Sequence, residues 1–296
     1  MNKLKILDGA LGTQLIKKGL ALPEHIWSAE ANIKNPEIIK NLYSHYINSG
    51  ADYITTNTFR TTNRAYSKII KNQNDQTINY KEQAKISFNK AIEIAKSIAT
   101  KNIEIIGSLA PLEDCYDPNL FPNREIAYNE YTELGCWFSD VEVNILMLET
   151  MNSIIETEIA IHALKIFEIP IWVSFVLKDN QHLLSGEKLV DALKVLTKYK
   201  IDAVLLNCNS IERTNIAMKI LADKWTGKWG IYPNLGTGEP SINGVITNYS
   251  SMQKFIDIIG KAANMGASIL GGCCGSSHMH IKEIYKIRTR LKSKKN

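Results

Sequence analysis

Two adjacent cysteines near the C-terminal end of the sequence are the residues best suited to chemistry. Cys273 and Cys274 follow two glycines and precede a third. Thiolates are soft metal ligands, and the flanking glycines let both sulfurs approach one ion without crowding by side chains. Structural zinc knuckles space their cysteines by two to four residues, so an adjacent pair does not fit that type of site. A third thiolate must therefore come from elsewhere in the chain.

Cys208 offers that third thiolate, because it follows the apolar run 203–206 in the sequence Asn207-Cys208-Asn209. Three thiolates from two strand ends, with one position open, are typical of a catalytic zinc site. A redox pair of Cys273 and Cys274 is the alternative, although a disulfide between neighbouring cysteines closes a strained ring. We expect the two remaining cysteines, Cys115 and Cys136, to be small buried hydrophobic residues.

The composition is that of an ordinary soluble globular protein. The chain has 296 residues, of which 45% are hydrophobic and 22% charged. No apolar run reaches the ~20 residues of a membrane span, and the N-terminus lacks the apolar segment of a signal peptide. Five cysteines, two of them adjacent, do not form a secreted disulfide framework, so we expect a cytoplasmic protein. The net charge of +5 is too small to predict nucleic-acid or membrane binding.

Eight apolar runs typical of buried strands recur along the chain, at 4–7, 53–56, 103–108, 145–148, 171–176, 203–206, 230–232 and 267–270. Amphipathic patterns predict helices at 36–49, 83–98, 154–167, 187–199 and 251–263. This alternation predicts an α/β protein, a single-domain (β/α)8 TIM barrel over 1–291, followed by a basic, disordered tail over 292–296. A doubly wound open sheet is the alternative, but no G-x-G-x-x-G follows the first strand.

Polar residues follow most of the predicted strands. They include Asp8, Asn57, Ser108, Glu149, Cys208, Asn234 and the adjacent cysteines. The carboxyl ends of barrel strands are where these folds place their active sites. The long segments 61–80 and 111–124 are predicted to be insertions that cover the same face. The sequence therefore predicts one site, formed by several strand ends.

Seven short motifs, taken in order, resemble the homocysteine S-methyltransferase family. They are DGALGTQL at 8–15, TTNTF at 55–59, GSLAP at 107–111, LET at 148–150, NC at 207–208, YPNLG at 232–236 and GGCCG at 271–275. The resemblance extends from Asp8 to about Ile281, which is nearly the whole chain. The family consists of zinc-dependent (β/α)8 barrels. It includes S-methylmethionine-using enzymes, betaine–homocysteine methyltransferase and the homocysteine module of cobalamin-dependent methionine synthase.

The resemblance implies that Cys208, Cys273 and Cys274 are the ligands of a catalytic Zn²⁺. It also implies a methyltransferase of methionine biosynthesis, with homocysteine as the acceptor. An unperturbed thiol titrates near ~8.5, so free homocysteine is mostly protonated at neutral pH. Coordination to zinc removes that proton and leaves a nucleophilic thiolate. The implied reaction yields methionine without a covalent protein intermediate.

Four residues are expected to bind the amino-acid part of homocysteine. Glu149 follows an apolar run and would hold the α-ammonium group, and the resemblance points the same way. Asp8 would orient the same amino acid, or cap the helix that follows it. The backbone amides of Gly9 and Ala10 are candidates for binding the carboxylate, because glycine-rich turns at helix starts bind anions.

Three further residues resemble family positions near the zinc and the substrate. They are Asn57, Asn234 and Ser108, although asparagine is also a common turn residue. After the cysteines the chain departs from the family pattern, since His278 stands where a proline is usual. We expect His278 and His280 to begin the last helix and not to bind zinc.

The methyl donor is predicted from the length of the chain. The chain ends soon after the eighth predicted strand, without a folate or cobalamin module. The resemblance then favours a small sulfonium donor, S-methylmethionine or S-adenosylmethionine, and Trp27, Tyr116, Phe121 and Trp137 are candidates to hold its cation by their π faces. Betaine-dependent transfer, transfer linked to a cobalamin protein and a non-catalytic zinc- or thiol-binding barrel are the alternatives. We expect a monomer or small homo-oligomer that binds neither nucleic acid nor membrane.

Overall fold

Eight parallel strands form a single sheet: β1 (Lys5–Ile6), β2 (Tyr53–Thr55), β3 (Glu104–Leu109), β4 (Ile145–Met151), β5 (Ile171–Phe175), β6 (Ala203–Asn207), β7 (Lys228–Tyr232) and β8 (Ile269–Leu270). The computed structural model describes residues 4–73, 79–237 and 245–293, with the backbone alone at 70–73. The strand order is β1-β8-β7-β6-β5-β4-β3-β2. The amide of Asp52 donates to the carbonyl of Ile6 at 2.8 Å, so the two outermost strands meet and the barrel is nearly closed. The (β/α)8 prediction is confirmed.

The helices are α1 (Gly12–Lys17), α2 (Glu30–Lys34), α3 (Pro36–Asn48), α4 (Asn63–Gln73), α5 (Tyr80–Ile98), α6 (Arg124–Ser139), α7 (Ile154–Leu164), α8 (Leu189–Leu196), α9 (Ile211–Lys224), α10 (Met252–Asn264) and α11 (His278–Ser293). The five predicted helices are all present. The sequence patterns did not predict α2, α4, α6 and α9, and α4 lies inside a segment that was predicted as an insertion. The last helix begins at His278, as predicted. Among the described helices none is both long and apolar enough to cross a membrane.

The expected tail begins within the last helix. Helix α11 continues through Ser293, so Lys292 and Ser293 are helical. Residues 294–296 lie outside the described ranges.

Alternation along the strands divides the core into two layers. On β4, Ile145 and Met147 pack inside the barrel, whereas Leu146 and Leu148 pack against the helices. Successive side chains of a strand point to opposite faces, so the inward series continues with Glu149 at the mouth of the barrel. The strand pattern thus directs a carboxylate into the barrel at its carboxyl end.

One cysteine prediction is wrong. Cys136 is exposed on α6, although it was expected to be a buried hydrophobic residue. The neighbours Leu134, Trp137 and Phe138 form the buried face of this helix, and Cys136 falls on the opposite face. The helical phase, and not the residue type, decides its burial.

Candidate metal and substrate site

A cavity of about 800 Å³ opens at the carboxyl ends of the strands. Its wall contains all ten predicted site residues: Asp8, Gly9, Ala10, Asn57, Ser108, Glu149, Cys208, Asn234, Cys273 and Cys274. Both segments predicted to cover this face also line it, the first with residues of α4 and the second with 112–116 and 120. Residues 74–78 of the first segment lie outside the described ranges.

Three cysteine sulfurs gather at one place in this wall. The Sγ atoms of Cys208, Cys273 and Cys274 all lie within 4.8 Å of one another. Cys274 Sγ is 3.7 Å from Cys208 Sγ and 4.0 Å from Cys273 Sγ. Thiolates bound tetrahedrally to zinc at ~2.3 Å are separated by ~3.8 Å, so these two spacings suit a common metal. Cys208 and Cys273 are joined as a disulfide, and this pair must be reduced before it can bind one.

Hydrogen bonds hold the loop that carries the paired cysteines. The amide of Cys273 donates to the carbonyl of Pro233, and the carbonyl of Cys274 accepts from the amide of Leu235, both at 2.9 Å. Ser276 is fully buried, and its Oγ accepts from the amide of Ala10 at 3.0 Å. The loop is therefore fixed both to the end of β7 and to the loop after β1.

Cys208 is held in an unusual backbone conformation. Its φ is +53°, in the left-handed region that non-glycine residues seldom adopt. Asn207 and Asn209 on either side are fully buried. Asn207 accepts from Ser174 Oγ at 2.7 Å, and Asn209 Oδ1 accepts from the amide of Leu177 at 2.8 Å. Two buried amide side chains therefore fix the backbone that turns the Cys208 sulfur toward its partners.

Asp8 is a buried carboxylate next to the mouth of the barrel. It accepts hydrogen bonds from the amide of Thr55 at 2.8 Å and from Thr55 Oγ1 at 3.0 Å. Burial raises the pKa of Asp8 to about 7, against the lowering effect of these two bonds, and the charge of Glu149 raises it further. No cation among the described residues is paired with it. A positively charged ligand would stabilise the ionised form of this buried carboxylate.

Glu149 is a second carboxylate in the same wall. Its Oε2 accepts from Ser108 Oγ at 2.6 Å. Burial raises the pKa of Glu149, while Ser108 and Tyr232 lower it. The next residue, Thr150, has a φ of +60°, which is strained for a β-branched side chain. The site therefore contains two carboxylates whose pKa values are raised by burial, and neither forms an ion pair with a cation of the described residues.

The other predicted residues line the cavity but are partly engaged elsewhere. The amide of Ala10 already donates to Ser276, so the amide of Gly9 is the better candidate for a substrate carboxylate. Asn57 exchanges hydrogen bonds with Ser28 and Asn32, which ties the loop after β2 to α2. Asn234 accepts from the amide of Gly236 at 2.8 Å, in a local turn.

The four predicted aromatic residues divide into two groups. Trp27 and Tyr116 line the cavity. Phe121 packs against the core, and Trp137 is buried in α6 with an edge-to-face contact to Phe88, so neither forms part of the wall. Phe59, which was not predicted, also lines the cavity.

Sequence reasoning missed several other wall residues. Arg60 lies in the loop after β2, and its only signal was its position next to the TTNTF motif. Cys115 is buried, as expected, but it lies in the wall of the cavity. Burial raises the pKa of the Cys115 thiol to about 12, which keeps it protonated. This thiol is not one of the three clustered cysteines.

Comparisons with known proteins identify a matching family model and a matching fold. The homocysteine S-methyltransferase family model matches residues 5–288. Homocysteine S-methyltransferase of Escherichia coli is 23% identical over 291 residues, covering 91% of this chain and 90% of that protein. The crystal structure of homocysteine methyltransferase MmuM from Escherichia coli in its oxidised form superimposes with a TM-score of 0.80 at 23% identity, covering 96% of each chain. Its metallated form gives 0.79 at 23% identity, over 97% of this chain and 96% of that one.

Proposed function

The chain belongs to the homocysteine S-methyltransferase family, and from this premise we propose that it transfers a methyl group from a small sulfonium donor to the thiol of homocysteine. The donor would be S-methylmethionine or S-adenosylmethionine, and the product methionine. The observation that carries the proposal is the cluster of three cysteine sulfurs in a cavity wall that also contains two carboxylates without a cationic partner.

We infer that the metal is Zn²⁺. Three thiolates suit this ion. The distances from Cys274 Sγ to Cys208 Sγ and to Cys273 Sγ, 3.7 and 4.0 Å, are close to those between thiolates bound to one zinc ion. The Escherichia coli relative has been crystallised in a metallated form, which supports a metal in the family. Bound zinc would keep the homocysteine sulfur deprotonated at neutral pH, where a free thiol is mostly protonated. Cys208, Cys273 and Cys274 would hold the ion.

The residues around the cysteines suit an amino acid. Glu149 and Asp8 would bind the α-ammonium group of homocysteine, which would supply the positive charge that both buried carboxylates lack. The amide of Gly9 would donate to its carboxylate. Ser108 would orient Glu149 through their 2.6 Å hydrogen bond. Fixing both ends of the amino acid would position its sulfur for reaction.

The thiol proton of homocysteine would be released to solvent when the sulfur binds the metal, so the transfer itself needs no acid or base from the protein. A bond forms between the homocysteine sulfur and the methyl carbon as the methyl–sulfonium bond breaks. The electron pair of the broken bond leaves with the donor, which becomes a neutral thioether. Trp27, Phe59 and Tyr116 line the cavity and can stabilise the sulfonium cation before transfer.

The test is methionine formation from homocysteine and S-methylmethionine, with S-adenosylmethionine in parallel, using reduced, zinc-loaded protein. We expect methionine, its loss in Cys273→Ala, and its retention in Cys136→Ser, since Cys136 is exposed on α6. If zinc binds and neither sulfonium donor reacts, the donor assignment is wrong, and betaine or a cobalamin protein becomes the donor to assay. Zinc held by four protein ligands, with no transfer from any donor, would instead indicate a non-catalytic barrel.

A further inference from the structure

We propose that Arg60 binds the carboxylate of the methyl donor, so that the enzyme selects donors with an α-amino acid group. This inference rests on the proposed transfer from a sulfonium donor. Arg60 lies in the loop between β2 and α4, directly after Phe59, and both residues line the cavity. The guanidinium carbon is 5.2 Å from the centre of the Phe59 ring.

Arg60 differs from the other two cations of the cavity wall, Arg64 and Lys68. Arg64 pairs with Glu113 at 2.9 Å and also with Glu130. Lys68 pairs with Glu113 as well. Within residues 4–73, 79–237 and 245–293, by contrast, no carboxylate lies at ion-pair distance from Arg60. Its charge is felt by the buried carboxyl of Glu156, whose pKa it lowers, but among the described cations of this wall Arg60 is the one that forms no direct ion pair.

The position of Arg60 is fixed by one hydrogen bond, and its other N–H donors have no partner within the described part of the chain. Its Nη1 donates to the carbonyl of Pro111 at 3.0 Å. The loop that contains Pro111 is anchored in turn, because the amide of Leu112 donates to the buried Glu156 at 2.8 Å. A guanidinium has five N–H donors in a planar fork, so one bond to a carbonyl leaves enough for a bidentate carboxylate.

Arg60 and the carboxylates assigned to homocysteine have different hydrogen-bond partners. Arg60 donates to the carbonyl of Pro111, whereas Glu149 accepts from Ser108 and Asp8 accepts from Thr55. An amino acid held by Glu149 would therefore leave Arg60 free for a second ligand in the same cavity.

The chemistry of the donor favours such a cation. S-Methylmethionine and S-adenosylmethionine each carry a carboxylate, and the cavity would remove part of the water that solvates its charge. The ammonium group of homocysteine would already occupy Asp8 and Glu149, so a cation elsewhere in the wall would stabilise the donor carboxylate. Arg60 supplies that cation with a geometry that matches a carboxylate.

The experiment compares two donors with three variants of the reduced, zinc-loaded enzyme. The donors are S-methylmethionine and 3-aminopropyl-dimethylsulfonium, which is the same molecule without its carboxylate. Arg60→Met removes the guanidinium, and Arg60→Lys restores the charge without the fork. Lys68→Met is the matched control, because it removes a cavity-wall cation that is already paired with Glu113.

We expect Arg60→Met to lower kcat/KM for S-methylmethionine by about 10- to 100-fold, the worth of a charge-assisted hydrogen-bond pair. The same variant should leave kcat/KM for the decarboxylated donor and the KM for homocysteine unchanged. Arg60→Lys should recover part of the lost kcat/KM for S-methylmethionine, and Lys68→Met should have the kinetic constants of the wild type. An equal loss with both donors, a raised KM for homocysteine, or no loss would overturn the proposal.

A failure of the proposed function has a different signature. If the wild type makes no methionine from either sulfonium compound, isothermal titration calorimetry of S-methylmethionine tests Arg60 by itself. Binding to the wild type that weakens at least 10-fold in Arg60→Met supports the subsite even then. No binding to the wild type, or equal binding to both proteins, contradicts it.

Discussion

Replacing Asp8 with Asn should make the reduced, ligand-free protein more stable at neutral pH while it destroys the site. A carboxyl whose pKa is higher in the folded protein than in the unfolded chain binds more protons when folded, so stability falls as pH rises through that window. For Asp8 the window extends from the ordinary value of 3.8 to about 7. The shift corresponds to about 4 kcal/mol of destabilisation above pH 7, at 1.36 kcal/mol per unit.

The quantity to measure is the change with pH in the difference between the unfolding free energies of the two proteins. Between pH 5 and pH 7.5 the wild type should lose about 2 to 3 kcal/mol relative to Asp8→Asn. The variant also weakens the bonds from Thr55, which subtracts about 1 kcal/mol from its advantage at every pH. Urea unfolding of both proteins at a series of pH values gives the difference directly.

Asp52→Asn is the matched control at the opposite end of the barrel. Asp52 pairs with Arg288 and accepts from the amide of Ile6 at 2.7 Å, so its loss should destabilise the protein. If Asp8→Asn were instead less stable than the wild type by an amount independent of pH, Asp8 would be an ionised structural residue. The assignment of Asp8 to a ligand's ammonium group would then be wrong.

The remaining predictions concern the binding of homocysteine, of the methyl donor and of zinc. Glu149→Gln should raise the KM for homocysteine about 10- to 100-fold, and Ser108→Ala only about 2- to 10-fold, in steady-state assays; equal effects would contradict an indirect function for Ser108. Trp27→Leu should raise the KM for the sulfonium donor about 2- to 30-fold with the KM for homocysteine unchanged, and a change confined to homocysteine would exclude Trp27 from the donor side. Asn207→Ala should weaken zinc binding about 10- to 100-fold in competition with a chromophoric chelator, because it releases the backbone of Cys208; unchanged affinity would refute that argument.

Local patterns in the sequence were sufficient to predict much of the fold. Each strand is a short apolar run, and the alternation on β4 already directs Glu149 inward. The helix α9 was missed, as were α2, α4 and α6, although α9 has a buried face that includes Ala217, Met218 and Leu221. Tertiary packing supports helices whose sequence pattern alone is weak.

The site was predictable where residue type determines chemistry and unpredictable where partners determine it. The three cysteines and Asp8 could be found because few other residue types perform their functions at strand ends. The hydrogen bond that Ser28 donates to Asn57 could not be predicted from the sequence, because the two residues are 29 positions apart. The proposed function of Arg60 was likewise not predictable, because it depends on Arg64 and Lys68 forming ion pairs with Glu113 while Arg60 forms none with the described residues.

The central claim is that three cysteines hold a zinc ion whose remaining position accepts the sulfur of homocysteine. Zinc K-edge X-ray absorption of the reduced, zinc-loaded protein tests it by counting sulfur neighbours near ~2.3 Å before and after homocysteine is added. The predicted result is three sulfurs without homocysteine and four with it. A count of fewer than three in the free protein, or a count that homocysteine does not change, would contradict the claim.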